Sequence, residues 1–128
     1  MITIKEEYQE IVEAYGKAGG SKKALESREV ASLVVHENRV LRANQAEGIS
    51  VKWEQLEKGV RVKLTVEEGK KIKYPVHLCF GMLPQEGLQE IVLKVNVQDG
   101  GEVNIIAHCI FPNAVNIIHK ICLLYTSP

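Results

Sequence analysis

A strict alternation of apolar and polar residues is the sequence feature that most constrains the fold. The alternation is cleanest over residues 60–66, and its apolar members are Val60, Val62, Leu64 and Val66. Because successive side chains of a β-strand point to opposite faces, this pattern predicts a strand with one buried face. Residues 49–54 repeat the pattern with Ile49, Val51 and Trp53. The chain from residue 33 onward is therefore predicted to be built mainly of β-strands.

Polar turns divide this region into roughly seven short strands. The turns contain Glu37-Asn38-Arg39, residues 57–59, residues 67–70 and residues 98–102, and residues 81–87 form a longer loop. The predicted extended segments are 33–36 with 40–41, 49–54, 60–66, 72–80, 91–97, 103–111 and 115–121. Pro75 lacks a backbone donor and is expected to break the segment 72–80. A β-sandwich, a barrel and a β-helix all fit this layout.

Residues 1–32 are predicted to form a helical N-terminal region. Thr3 and Glu6 have the spacing of a capping box. Apolar residues then recur at helical spacing at Ile4, Tyr8, Ile11 and Tyr15, and Gly19-Gly20 supply a stop. Further short helical turns are expected after Ser21 and Ser27. The long helix is interpreted as packing on the protein's own sheet.

The overall composition argues against several classes of protein. Sixteen basic and sixteen acidic residues give a formal net charge of zero, whereas nucleic-acid binders need a surplus of cations. No apolar run reaches the ~18 residues of a membrane span, and no signal-peptide pattern opens the chain. The three cysteines have no close pair, which suits a reducing compartment. These features predict a soluble, cytoplasmic protein with no nucleic-acid or membrane partner.

Charge is distributed unevenly along the chain. Residues 76–128 carry only six formally charged side chains of the 32 in the whole sequence. A segment so poor in charge is expected to be covered by further chain or by a partner. The apolar residues 115–124 then run almost to the end, which predicts that the chain is truncated. We interpret residues 122–128, including Cys122, as a non-native tail.

Two short His/Cys motifs are the strongest candidates for chemistry. His77 and Cys79 share one face of a predicted strand, whereas the adjacent residues His108 and Cys109 point to opposite faces. Thiolate and imidazole ligands would suit zinc, copper or an iron–sulfur centre. However, thirty residues separate the motifs, and Cys79 lies in an apolar run typical of a core. A structural role is therefore favoured, and metal binding and a redox thiol remain alternatives.

The other polar residues form no catalytic constellation. His36 lies beside a hairpin turn and is predicted to be solvated, and His119 is predicted to be a hydrogen-bonded sheet histidine. Neither is close in sequence to a serine–acid pair, and the adjacent carboxylates Glu6 and Glu7 point apart on a helix. With seven aromatic residues and no clustered Asp pair, a carbohydrate-active enzyme is also disfavoured. The chain is predicted not to be an enzyme.

Four segments resemble the N-terminal part of an archaeal and bacterial branch of the SufB/SufD family. They read KEEY at residues 5–8, ASLVV at 31–35, VHLCFGMLPQEG at 76–87 and IAHCIFPNAV at 106–115. The resemblance covers about residues 3–120 and implies a non-catalytic scaffold of the SUF iron–sulfur cluster assembly system. Family members contain a helical N-terminal region, a right-handed parallel β-helix and a helical region that docks the ATPase SufC.

This resemblance implies partners and a fold but no functional residue. The partners would be a SufC-type ATPase and a SufB/SufD-type subunit. The family's cluster-assembly residues lie in its C-terminal part, so no catalytic, cofactor or metal residue is transferred, and no cofactor is expected on this fragment. The fold expected is mainly β, with residues 33–121 opening a truncated SufBD-like β-helix; a β-sandwich is the alternative. The alternative function is a self-contained metal- or ligand-binding domain that uses His77, Cys79, His108 and Cys109.

Overall fold

The computed structural model describes residues 3–126, and the protein is mainly β with a helical N-terminus. Of the predicted tail, Ser127 and Pro128 lie outside the described residues, as does the side chain of Ile4. Helix α1 spans Ile4–Lys17 and α2 spans Lys22–Glu26. The strands are β1 Ser32–His36, β2 Arg39–Asn44, β3 Ile49–Gln55, β4 Gly59–Val66, β5 Val76–Gly81, β6 Glu86–Val97, β7 Ile105–Ile110 and β8 Asn116–Thr126.

Helix α1 forms where the capping signal predicted it. The Thr3 hydroxyl accepts a hydrogen bond from the Glu6 backbone N–H at 3.1 Å, which satisfies one donor of the first turn. Beyond the helix end, Gly19 adopts a φ of 95°, a conformation that glycine tolerates best. The buried side chains Ile11, Val12 and Tyr15 lie on the face that meets the sheet. The prediction that this helix packs on the protein's own sheet is confirmed.

The strands form two four-stranded mixed sheets. The first sheet has the order β2-β1-β5-β7 and the second has the order β3-β4-β6-β8. The hairpins β1–β2 and β3–β4 are antiparallel, and all the other pairings are parallel. From β4 to β8, consecutive strands therefore alternate between the two sheets.

Three of the four parallel pairings have a nearly constant sequence offset, whereas in the β1–β5 pairing Ser32 meets His77, 45 residues further along the chain. Glu90 pairs with Gly59, Asn116 pairs with Glu86, and Ile105 pairs with Val76. The partner residues thus lie 31, 30 and 29 positions further along the chain. No residue is skipped within any of these three ladders. Strands β6 and β7 therefore repeat the path of β4 and β5, and β8 repeats the path of β6.

The main core lies between the two sheets. The predicted apolar face of β4 is buried there, together with Val76, Leu78 and Phe80 of β5. A second, smaller core lies between α1 and the outer face of the first sheet, where Ile11 and Tyr15 pack with Val34 and Cys79. Trp53 departs from the predicted pattern, because its side chain at the end of β3 is 49% exposed.

Several strand boundaries differ from the prediction. Pro75 does precede β5, but the predicted loop 81–87 is shorter, because Gly81 belongs to β5 and β6 already begins at Glu86. Strand β8 continues to Thr126, and its residues from Cys122 onward pair with Val92–Asn96 of β6. The long ladder with β6 holds these residues in extended form without an alternating pattern of their own.

The β7–β8 end of the two sheets is uncovered. On β8, Ile118, Ile121 and Tyr125 are each at least half exposed. Leu123 is 63% exposed although its register partner on β6, Leu93, is 5% exposed. Among residues 3–126, no helix has both the length and the apolar character needed to cross a membrane.

Candidate functional site

Three of the four predicted His/Cys residues come together beneath α1. Cys79 pairs with His108 across the parallel β5–β7 ladder, so both side chains lie on the outer face with His77. The Tyr15 hydroxyl is 2.8 Å from His77 Nδ1, and the Tyr15 ring meets the His108 ring edge-on at 4.8 Å. The fourth residue, Cys109, lies on the opposite face of β7.

Burial holds Tyr15, His77 and Cys79 in their neutral forms. Burial raises the pKa of the Cys79 thiol to about 12 and the pKa of the Tyr15 hydroxyl to about 12. Burial, with a smaller contribution from His108, lowers the pKa of His77. A protonated, inaccessible thiol is a poor nucleophile and a poor redox centre. This arrangement is typical of a packed core.

Cys109 instead meets His119 at the uncovered end. The Cys109 Sγ atom is 3.3 Å from His119 Nε2, and the two residues come from β7 and β8 in different sheets. Partial burial raises the pKa of Cys109 and lowers the pKa of His119, so the thiol donates its hydrogen to the imidazole. The prediction of a hydrogen-bonded sheet histidine is confirmed, but the sequence did not indicate Cys109 as its partner.

The prediction that His36 is solvated is wrong. His36 is 4% exposed, and α1 supplies the reason: Glu7, 3% exposed, lies within 2.7 Å of His36 Nδ1. The adjacent Glu6 is exposed, as two neighbouring positions on a helix require. Glu7 precedes Ile11 by four residues and thus lies on the buried face of α1. That spacing is the signal by which it could have been found.

Hydrogen bonds define the protonation of this buried pair. The Leu83 backbone N–H donates to His36 Nε2 at 3.2 Å, so this nitrogen carries a lone pair. The proton therefore resides on Nδ1, which donates to the Glu7 carboxylate. The Arg39 guanidinium donates to the same Glu7 oxygen. Its Nη2 atom also lies 3.5 Å from Glu37 Oε2. These residues join α1, the β1–β2 hairpin and the loop after β5.

Glu7, His36 and Glu37 are the one group of three metal-ligating side chains that the described part of the chain brings within 4.8 Å. Their donor atoms are already engaged. His36 Nε2 accepts from Leu83, and the Glu7 oxygen accepts from both Arg39 and His36. A cation here would have to displace the guanidinium. The group is better suited to anchoring α1 than to holding a metal ion.

Comparisons with known proteins identify two relatives. No family model and no solved structure matches the chain. The chain is 29% identical over 123 residues to a protein of Pyrococcus horikoshii and 28% identical over 118 residues to one of Methanocaldococcus jannaschii. These alignments cover 93% and 92% of this chain, and both relatives are named iron–sulfur cluster assembly SufBD family proteins. Over nearly all of its length the chain is therefore similar to proteins named for the SufBD family.

The match confirms the family resemblance predicted from the sequence. The chain spans about 37% of the length of each relative. Within that span, its described side chains form the neutral cluster under α1, the Glu7–His36–Arg39 network and the exposed Cys109–His119 pair. The first two are enclosed by the protein, and only the third is open to a ligand.

Proposed function

We propose that this chain contributes part of a scaffold of the SUF iron–sulfur cluster assembly system and has no catalytic activity of its own. The observation that carries the proposal is the match of more than nine-tenths of the chain to two relatives named for iron–sulfur cluster assembly. The enclosed polar groups support the absence of catalysis, because neither the neutral cluster nor the Glu7 network presents a free nucleophile or base.

The proposal extends to the fold, which we assign as the opening coils of a right-handed parallel β-helix. The offsets of 29 to 31 residues support this assignment, because a β-helix stacks successive coils of similar length in parallel register. Right-handedness follows from the general preference of parallel crossover connections. The alternative β-sandwich is disfavoured because sandwich sheets are built of antiparallel strands.

Partners and location are part of the same proposal. A SufC-type ATPase and a SufB/SufD-type subunit would bind the longer protein, since this chain spans little more than a third of its relatives. The fragment would bind no cofactor, and the iron–sulfur cluster would be the cargo of the longer protein. We propose that the scaffold acts in the cytoplasm.

The alternative, a self-contained metal- or ligand-binding domain, draws less support from the geometry. It requires His77, Cys79, His108 and Cys109 to converge on one ion. Cys109 lies on the other face of β7, and Tyr15 occupies His77 Nδ1. A metal site that depended on both His77 and Cys79 would restore this alternative.

A segment exchange tests the scaffold proposal. Residues 3–126 replace the matched region of the Pyrococcus horikoshii relative, and the chimera is expressed with a SufC-type ATPase. We expect the chimera to copurify with the ATPase and to take up iron and sulfide under anaerobic, reducing conditions as the parent does. A chimera that folds but does neither, or that fails to fold where the parent folds, contradicts the proposal.

A variant of the chimera tests the stacked coils specifically. A Cβ atom on Gly59 would lie 1.7 Å from the Glu90 carbonyl oxygen of the neighbouring strand, so Gly59→Ala cannot keep the β4–β6 ladder. We expect this variant to lose both ATPase association and cluster uptake. Retention of both activities would show that the β4–β6 stack is not needed.

A further inference from the structure

The Cys109–His119 pair brings two soft ligand atoms together at an accessible position. Cys109 belongs to β7 and His119 to β8, the edge strands of the two sheets. Both side chains lie on the inner faces, at the end where no further strand covers them. Phe111 lies against the His119 ring with a centroid distance of 5.1 Å and limits its movement.

We propose that Cys109 and His119 are two ligands of a site for a soft divalent metal ion, with Zn²⁺ as the prototype. The inference goes beyond the proposed scaffold function and does not depend on it. The chain supplies two of four tetrahedral positions. Water fills the others in the isolated chain, and donors from whatever covers the β7–β8 end could replace that water.

The separation of the two ligand atoms fits tetrahedral coordination. Zinc lies ~2.3 Å from a thiolate sulfur and ~2.0 Å from an imidazole nitrogen, so a tetrahedral angle places the two ligands ~3.5 Å apart. The Cys109 Sγ and His119 Nε2 atoms are 3.3 Å apart. An ion could therefore enter between them with a shift of a few tenths of an ångström.

A second observation concerns the far side of the imidazole. With Nε2 facing the sulfur, His119 Nδ1 carries the ring hydrogen, and this atom is buried without a hydrogen-bond partner. Gln89, the direct register partner of His119 on β6, is fully buried, and its Oε1 atom also lacks a partner. Metal-binding histidines usually donate their other N–H to such an acceptor.

The orientation of the Gln89 amide is set by the protein. Its Nε2 group donates to the carbonyl oxygens of Glu37 at 3.0 Å and Gly81 at 3.2 Å. Since both partners are acceptors, the amide cannot be reversed, and Oε1 stays without a partner at the position on β6 that is in register with His119. Gln89 is therefore placed as a positioning residue that would orient the imidazole once a metal ion binds Nε2.

The chemical step balances without a redox partner. The Cys109 S–H bond breaks, its proton passes to solvent, and the thiolate sulfur forms a bond to the metal ion. The His119 Nε2 lone pair, which had accepted the thiol hydrogen, forms the second bond. One proton is released for each ion bound, and neither the sulfur nor the metal changes oxidation state.

Cobalt binding by the complete 128-residue chain tests the site. Co²⁺ reports a thiolate ligand through sulfur-to-metal charge-transfer absorption, and Zn²⁺ should displace it. We expect the band in the native chain and its loss in Cys109→Ser and in His119→Asn. Cys122→Ser is the matched control, since Cys122 is exposed on the other face of β8 and should leave the band unchanged. Gln89→Met should weaken binding about tenfold.

Circular dichroism of each variant separates loss of the site from loss of the fold. Cys109 is exposed and His119 lies on an edge strand, so both variants should retain the native spectrum. Absence of the charge-transfer band in the folded native chain overturns the proposal. So does a band that persists in Cys109→Ser or disappears in Cys122→Ser. None of these results bears on ATPase association or cluster uptake by the chimera.

Discussion

Covered and uncovered regions of the two sheets place the same residue types in opposite environments. Cys79 lies fully buried beneath α1, whereas Cys109, one strand away, is exposed. Leu93 on β6 is buried, whereas its register partner Leu123 on β8 is open to solvent. What differs is the presence of a covering layer, since residue type and strand geometry are shared. Whether a neighbouring helix or sheet covers a side chain thus determines whether that side chain stabilises the fold or remains available for binding.

Alanine substitution of the two register-matched leucines is expected to give the largest difference between the covered and uncovered regions. Leu93→Ala should lower the free energy of unfolding by about 2–5 kcal/mol, because it leaves a cavity between the sheets. Leu123→Ala removes the same atoms from an exposed position and should cost about 0.5 kcal/mol or less. Urea denaturation measures both. Equal losses would show that the β8 face is buried in solution and that the comparison does not hold.

The next largest effect is expected at the polar network that anchors α1 to the β1–β2 hairpin. Glu7→Gln keeps the side-chain shape but removes the charge that His36 and Arg39 bond, which should cost about 1.5–3 kcal/mol. Glu6→Gln is the matched control, because Glu6 shares the first turn of α1 but is exposed. Any effect of charge on the helix dipole is therefore common to both variants. If the two variants lose the same stability in urea denaturation, the buried network contributes nothing specific.

Alkaline pH should act on the core beneath α1 through Tyr15 and Cys79. Burial raises the pKa of both groups to about 12 in the folded protein, above the ordinary values of 10.0 and 9.0. The folded state then holds these protons more tightly than the unfolded state, so stability should fall as the pH rises from about 9 towards 12.

Tyrosine variants isolate the contribution of Tyr15. Tyr15→Phe should make the decline of the urea midpoint above about pH 9 shallower, because one titrating group is removed. Tyr74→Phe, at a 36% exposed tyrosine, should leave the slope as it is in the native chain. An unchanged slope in Tyr15→Phe would mean that Tyr15 ionises as readily in the folded state as in the unfolded state.

Local sequence patterns predicted the parts of this fold that depend on neighbouring residues. The alternation in β4, the hairpin around Glu37 and the cap at Thr3 are all confirmed, because each is determined within a few positions. The start of β6 was missed because Glu86 and Gly87 show no alternation and are held by pairing with Asn116 and Ile117, thirty residues away. No local pattern contains that information.

The candidate site likewise has features that the local sequence predicted and features that depend on tertiary packing. The placement of His77 and Cys79 on one strand face followed from strand geometry and is confirmed. The burial of His36 depends on Glu7, 29 residues earlier, and the Cys109–His119 contact joins two sheets. Such contacts arise from tertiary packing, which a single sequence does not reveal. The solvated reading of His36 was wrong because the turn was judged without the helix that covers it.

The prediction with the smallest expected effect concerns whether α1 controls access to Cys79. Thr3→Ala removes the hydroxyl that caps the helix and should destabilise it by about 1 kcal/mol. If Cys79 becomes reactive when α1 opens locally, the open population and the rate of Cys79 alkylation by iodoacetamide should rise about fivefold. Cys122 does not lie beneath α1, so its alkylation rate in the same sample serves as an internal control and should not change. Mass spectrometry of the modified peptides distinguishes the thiols at constant pH. If Thr3→Ala leaves the alkylation rate of Cys79 unchanged, the thiol is exposed only by global unfolding. Helix α1 and the sheets would then unfold as one cooperative unit.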